Sequence, residues 1–196
     1  MIARMTMAHV DEVISVHLHS FEGFFLSFLG PRFLRLYYES IAEYPGATGY
    51  VYVQDGRAVG FVCGTVHPSQ FYRFLLRTRG WRFAVASLGA VLRRPSIGPR
   101  LARALLYPSQ TSRRDDTGTL TSMAVEPAFQ GQGIGAELAR AFLEDMRARG
   151  VKRVDLTTDR HDNDKVNAFY QKQGFRCERS FVTPEGREMN EYVISL

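Results

Sequence analysis

Apolar residues recur at two different spacings in this chain, and the switches between those spacings mark its elements. Ile134, Leu138, Phe142 and Met146 fall every four residues, which places them on one face of an amphipathic helix. Arg147 and Arg149 stand in the last turn of that helix, where cations suit its dipole, and Gly150 ends it. Val10, Val13, Ile14 and His17 share a face in the same way and predict a helix from about Met7 to Ser20. An aromatic loop around Gly23, Phe21 to Leu26, follows, and Pro31 suits the first turn of a helix running to about Tyr44. Strand-type runs cover Ile2 to Met5, Gly49 to Gln54, Ala58 to Val66, Thr119 to Val125, Val151 to Thr158, Phe175 to Val182 and Glu188 to Leu196. Asp55-Gly56-Arg57 is a strong hairpin turn between the second and third, and Thr183 to Arg187 joins the last two.

The segment from Met123 to Gly135 carries the first sign of chemistry. It reads as a buried strand (Met123-Ala124-Val125), a turn at Pro127, and a loop Gln130-Gly131-Gln132-Gly133-Ile134-Gly135 that opens the amphipathic helix. Glycines at alternate positions let the backbone approach a bulky anion, and the helix aims unpaired N–H groups and about half a positive charge at the same spot. A phosphorylated cofactor is the first inference. Gly131-x-Gly133-x-x-Ala136 also fits a relaxed dinucleotide fingerprint, with Asp155 or Asp159 offered to the ribose. That fingerprint opens a doubly wound domain, whereas the residues after this loop are few and end in a hairpin. A ligand-free strand-to-helix turn is the plainest alternative.

A second motif decides between them. Asn163 to Gln173 reads as a short helix that stops at Gly174, a residue suited to the left-handed cap position, and Phe175 starts a strand. Asn163 and Tyr170 are seven positions apart, two helical turns, and so share a face. Val125-x-Pro127 followed by Gln130-x-x-Gly133-x-Gly135, together with Asn163, Tyr170 and Gly174-Phe175 in this order, closely resembles the GNAT superfamily of N-acetyltransferases. The resemblance is specific from Thr119 to Phe175, loose over the N-terminal half and absent between about His67 and Thr117.

The resemblance implies an α/β (α+β) GNAT fold. Its mixed central sheet would have about six to seven strands, splayed between the fourth and fifth, flanked by helices, with a helical insert after the third strand. It implies acetyl-CoA as co-substrate, its pantetheine arm in the V between the splayed strands. Met123, Ala124, Val125, Gln130, Gly131, Gln132, Gly133, Ile134, Gly135 and Asn163 would bind it. A backbone N–H around Ala124 or Val125 would receive the oxyanion, and Tyr170 would be the acid that protonates the leaving thiolate. Many relatives place a glutamate five residues before the motif asparagine; this chain has Thr158 there. Asp159 is adjacent and faces the other way on a strand, which leaves Glu22, His19 and His67 as candidates and the base unassigned.

Composition sets wider limits. The 196 residues suit one domain, 1–196, with a proper core. Cys63 and Cys177 are too few for a disulfide framework or a metal site, so no metal is expected and a reducing cytoplasm is the expected home. No apolar run reaches the length of a membrane span. The stretch from about 67 to 117 departs from the family pattern. Helical spacing runs through Phe71 to Arg77, Trp81 to Leu92 and Gly98 to Leu106, with breaks at Gly80, Pro95 and Pro108.

Ten arginines fall in this insert against Asp115 and Asp116 alone, which is more than the whole net charge of +5. Three accounts fit: a solvated helical cap, a lid for an acidic small-molecule amine such as a nucleotide-linked amino sugar, or peripheral contact with an anionic membrane. No nucleic-acid reading module accompanies the charge, so a nucleic-acid partner is not expected. The acceptor is expected to be a primary amine, with a peptide or protein N-terminus, or a non-catalytic acyl-CoA-binding role, as alternatives. Homodimers are common in the family.

Overall fold

The structure, a computed structural model, describes residues 1–98 and 117–196. Its elements in chain order are β1 (Ile2–Arg4), α1 (Val10–Ser20), α2 (Phe25–Leu29), α3 (Pro31–Glu43), β2 (Ala47–Gln54), β3 (Arg57–Thr65) and α4 (Pro68–Arg93). After residue 116 come β4 (Thr117–Val125), α5 (Ile134–Ala148), β5 (Arg153–Asp159), α6 (Asp164–Lys172), β6 (Arg176–Val182) and β7 (Glu188–Ser195). The strands form one sheet in the order β1-β2-β3-β4-β5-β7-β6.

Every neighbouring pair is antiparallel except β4 and β5. A parallel pair needs a crossover, and α5 supplies it. The two parallel strands pair only where Thr117–Thr119 lie beside Arg153–Asp155. Beyond that, β4 stays with β3 as far as Val125, and β5 stays with β7 as far as Asp159. The carboxyl halves of β4 and β5 therefore part company, and this is the splay expected between the fourth and fifth strands.

Each face of the sheet has its own core. On one, α1 and α3 bring Val13, Leu34, Tyr38 and Ile41 against Val51, Phe61 and Cys63. On the other, Leu138, Phe142 and Met146 of α5 pack on Val59, Val62, Val154 and Leu156. Each of these three α5 side chains is fully buried, worth about 2–3 kcal/mol apiece in apolar area removed from water. β3 is buried on both faces from Ala58 to Thr65, and at Gly64 the fit is so close that a Cβ would stand 2.1 Å from the Thr119 carbonyl oxygen. Asp55 and Gly56 both take positive φ, as a type I′ hairpin demands.

Two expectations change. The aromatic loop read over Phe21 to Leu26 is shorter: Phe25 begins a short helix that ends at Leu29. The break at Gly80 does not occur, and α4 runs unbroken through it for 26 residues. A helix-interior glycine costs about 1 kcal/mol. Packing on either side of it outweighs that cost. Phe71 and Leu75 before it, and Phe83, Ser87 and Ala90 after it, are all buried. Beside it Arg79 bonds Glu39, Glu43, the Ser40 hydroxyl and the Leu36 carbonyl of α3. The break at Pro95 holds, while the helix read from Gly98 to Leu106 and the break at Pro108 lie, beyond Gly98, outside the described residues. Among the described residues no helix is long and apolar enough to cross a membrane.

Candidate active site

The V between β4 and β5 is lined first by backbone. Glu126 N–H donates to the Val59 carbonyl at 2.9 Å, and β4 and β3 pair Val125 with Gly60, Ala124 with Phe61 and Met123 with Val62. Hydrogen-bonding residues alternate along an antiparallel pair, so Ala124 faces β3 while Met123 and Val125 turn their amides into the gap. The Val125 carbonyl confirms that orientation. It points away from β3 and accepts from the Gln130 side-chain amide at 3.0 Å and more weakly from the Ser20 hydroxyl at 3.4 Å. Of the two oxyanion donors expected around Ala124 or Val125, the register favours Val125.

The glycine loop comes next. Gly131 and Gly133 hold φ of 79° and 83°, left-handed values that a side chain rarely adopts. Ala136 and Glu137 donate to the Gly133 carbonyl as α5 begins, but the N–H groups of Gly131, Gln132, Gly133, Ile134 and Gly135 have no partner among the described residues. Five consecutive open amides at a helix N-terminus are an arrangement that suits an anion. The Gln130 side chain is spent on holding the loop to Val125.

Gly135 joins the pieces. The space where its Cβ would stand lies 3.4 Å from the Phe169 ring and 3.9 Å from the Val125 side chain, so the end of β4, the start of α5 and the middle of α6 meet there. Tyr170, next to Phe169, is 7% exposed and packs against Phe175 and Tyr192. Burial raises the pKa of its hydroxyl above the ordinary phenol value, so the phenol stays protonated at neutral pH.

Asn163 holds α6 in place rather than reaching outward. Its amide donates to the Thr158 hydroxyl at 2.8 Å and the Asp159 carbonyl at 3.0 Å. Asn167 repeats the tie, to Asp159 O at 3.0 Å, and accepts from the Tyr192 hydroxyl and the Asn190 amide. Thr158, at the position many relatives give to a glutamate, is thereby occupied as an acceptor for Asn163.

An open cleft of ≈ 270 Å³ lies at the other side of the V, lined by Glu22, Gly23, Phe24, Phe25, Asp159 and Arg187. Asp159 thus borders the cleft instead of pointing elsewhere, because Arg187 crosses from the β6–β7 turn and clamps its carboxylate with bonds of 2.6 to 3.1 Å. The Arg187 guanidinium also stands 5.5 Å from the Phe24 ring. Glu22 has no such partner among the described residues. His19 leans on Glu126 at 3.7 Å, and His67 precedes α4 outside the cleft lining. Arg187 had gone unmarked in the sequence: nothing in a turn of polar residues signals a partner 28 positions upstream.

The model of the acetyltransferase (GNAT) family matches residues 16–175. A ribosomal protein bS18 alanine N-acetyltransferase from Haemophilus ducreyi is 31% identical over 85 residues, 41% of this chain and 58% of that protein. A mycothiol acetyltransferase from Beutenbergia cavernae is 39% identical over 59 residues, 30% of this chain and 20% of that protein. The chain thus spans less than two thirds of the length of these curated relatives. Among solved structures, an aminoglycoside 6'-N-acetyltransferase complexed with coenzyme A aligns over 100% of this chain and 96% of its own, with a TM-score of 0.64 at 12% identity, a likeness of fold. The family consists of acyltransferases that use acetyl-CoA as co-substrate. With a family match over most of its length and the same sheet beneath it, the chain belongs to the acetyltransferase (GNAT) family.

Proposed function

We propose that the chain transfers an acetyl group from acetyl-CoA to a primary amine by direct attack within a ternary complex. The observation that carries this reading is the run of five open amides, Gly131 to Gly135, at the mouth of a V whose edge presents the Val125 N–H. The diphosphate would sit on those amides, with the pantetheine arm along Met123, Ala124 and Val125. The Asn163 ties keep the α6 end of the V in position.

The chemistry then follows from acyl transfer. The amine must lose a proton, and an alkyl amine is neutral roughly once in 2,500 molecules at pH 7, a cost of about 4.6 kcal/mol. Its nitrogen forms the C–N bond at the thioester carbonyl, and the oxygen takes the charge opposite the Val125 N–H. Collapse breaks the C–S bond, and Tyr170 donates a hydrogen bond and then its proton to the sulfur. Holding both reactants face to face is worth up to about 7–11 kcal/mol. Glu22 is the cleft carboxylate left to take the amine's proton, directly or through water, since Asp159 is committed to Arg187.

The cleft supports an acceptor that arrives as a cation, such as a peptide N-terminus. It presents Glu22 beside the neutralising Asp159–Arg187 pair, one carboxylate in excess. The bS18 alanine enzyme's name supports the same class. An acidic acceptor such as a nucleotide-linked amino sugar was expected from the insert's arginines, and none of the described ones lines the cleft. Thiol release from acetyl-CoA should be measured with N-terminal peptides, lysine and amino sugars side by side. Peptides should turn over fastest, and Tyr170→Phe should lower turnover by about 10²–10⁴ while coenzyme A binding persists. Turnover restricted to acidic amino sugars sinks the acceptor assignment. An unchanged rate in Tyr170→Phe sinks the acid, and coenzyme A binding with no thiol release to any amine favours a binding module.

A further inference from the structure

The outer side of α4 carries exposed large apolar side chains that the chemistry of the V does not use. A helix with apolar residues on two sides is expected to be covered on both. Among the described residues, α4 is covered on one side only. Phe71 and Phe83 reach inward to Tyr37 and Phe33, with ring centroids 6.0 and 4.9 Å apart. Outward, Trp81, Val85, Leu88 and Leu92 are 72%, 63%, 56% and 72% exposed. Their spacing of four, three and four residues sets them on one stripe, and Arg77 and Arg73 extend the same stripe one and two turns earlier. Arg82 and Arg93 stand on its flank. From His67 to Gly98 there is no aspartate or glutamate.

We propose that this stripe lies on the surface of a bilayer containing anionic lipid, with α4 parallel to the plane. Exposed Leu, Val and Trp on one side of a helix, bordered by arginines and unrelieved by any acid, are what an interfacial helix presents. The apolar residues enter the acyl boundary, the indole sits at headgroup depth, and the guanidinium groups pair with lipid phosphates. Five arginines inside the helix keep it from crossing the bilayer.

Charge decides against the other occupants. A second copy docked face to face would set arginine against arginine with no carboxylate on either helix. A nucleic acid would satisfy the arginines but leave Leu88 and Leu92 against solvent or phosphate. Only an anionic lipid surface answers both halves of the stripe.

The test uses a feature of the chain itself: Trp81 is its sole tryptophan. The full chain is titrated with vesicles of phosphatidylglycerol and phosphatidylcholine, and with vesicles of phosphatidylcholine alone. The mixed vesicles should shift Trp81 emission to the blue and carry the protein into the vesicle pellet. Pure phosphatidylcholine should do neither, and raised salt should weaken binding. Leu88→Glu with Leu92→Glu should reduce binding by at least about tenfold, with coenzyme A binding unchanged as proof of fold. Arg82→Gln and Arg93→Gln should each reduce it about fivefold, a pair of exposed changes that fold safely.

Equal binding by these variants, or no shift with mixed vesicles, overturns the proposal. So does emission that is already blue without vesicles and turns red in the double glutamate variant, because the stripe would then be covered by protein. Binding to an oligonucleotide with the vesicle arm silent overturns it in favour of nucleic acid.

Discussion

His17 shows how a titratable side chain can be committed to the core. It is 3% exposed, bonds the Tyr38 hydroxyl through Nδ1 at 2.6 Å, and lies near the Phe61 ring. Its Nε2 has no partner among the described residues, so a charge there would be unsolvated. Burial accordingly lowers its pKa from 6.5 to about 4. The unfolded chain takes up that proton first, so His17 favours the fold above about pH 6.5 and that advantage drains away as the pH falls toward 4. The full loss is about 3 kcal/mol. Urea unfolding between pH 8 and 4 should show this decline, and His17→Phe should flatten it. A wild-type profile with no slope between pH 6.5 and 4 would refute the account. The same residue was placed correctly from its neighbours, since it shares a face with Val10, Val13 and Ile14, and a histidine in an apolar stripe belongs to packing.

The turn into α5 concentrates the site's geometry in one backbone angle. Gly133 holds φ of 83° and a Cβ there would meet nothing within 4 Å, so Gly133→Ala adds no clash. It adds only the cost of a left-handed alanine, about 1–2 kcal/mol, which the loop escapes by rotating its amides away. Calorimetry should therefore show coenzyme A binding weakened by about tenfold or more with thermal stability nearly unchanged; equal affinity would remove the amide nest from the binding account.

This loop was legible in sequence because its residue types are dictated locally, as is the four-residue rhythm of Ile134, Leu138, Phe142 and Met146. Other parts were not local. Whether Gly80 breaks a helix depends on Arg79 finding Glu39 and Glu43 forty positions upstream. Whether Asp159 meets the cleft depends on Arg187, delivered by the pairing of β5 with β7. The short α2 has no capping side chain at its N-terminus and four apolar side chains in five, so its helical form follows from packing on α3 and α4.

Across the molecule, α4 is held to α3 by a polar anchor as well as by its buried apolar side. Arg79 is 12% exposed and holds two glutamates, a hydroxyl and a carbonyl of α3. Removing it strands Glu39, 17% exposed, and Arg79→Ala should cost about 1–3 kcal/mol. Hydrogen exchange should quicken in α4 first, with α5 and β4 still protected and coenzyme A affinity intact. Exchange that quickens uniformly would mean that the insert and the sheet unfold as one unit.

The splayed strands also divide labour between stretches of chain that do not overlap. On the proposed reading the donor side would be assembled from 123–135 and 163–170, whereas the recipient side would take Glu22 to Phe25 and Arg187. Asp159, at the tip of β5, touches both territories, through its carbonyl on one and its carboxylate on the other. Transplanting two short surface loops could therefore retarget such a protein to a new amine while the half that delivers the thioester is inherited unaltered.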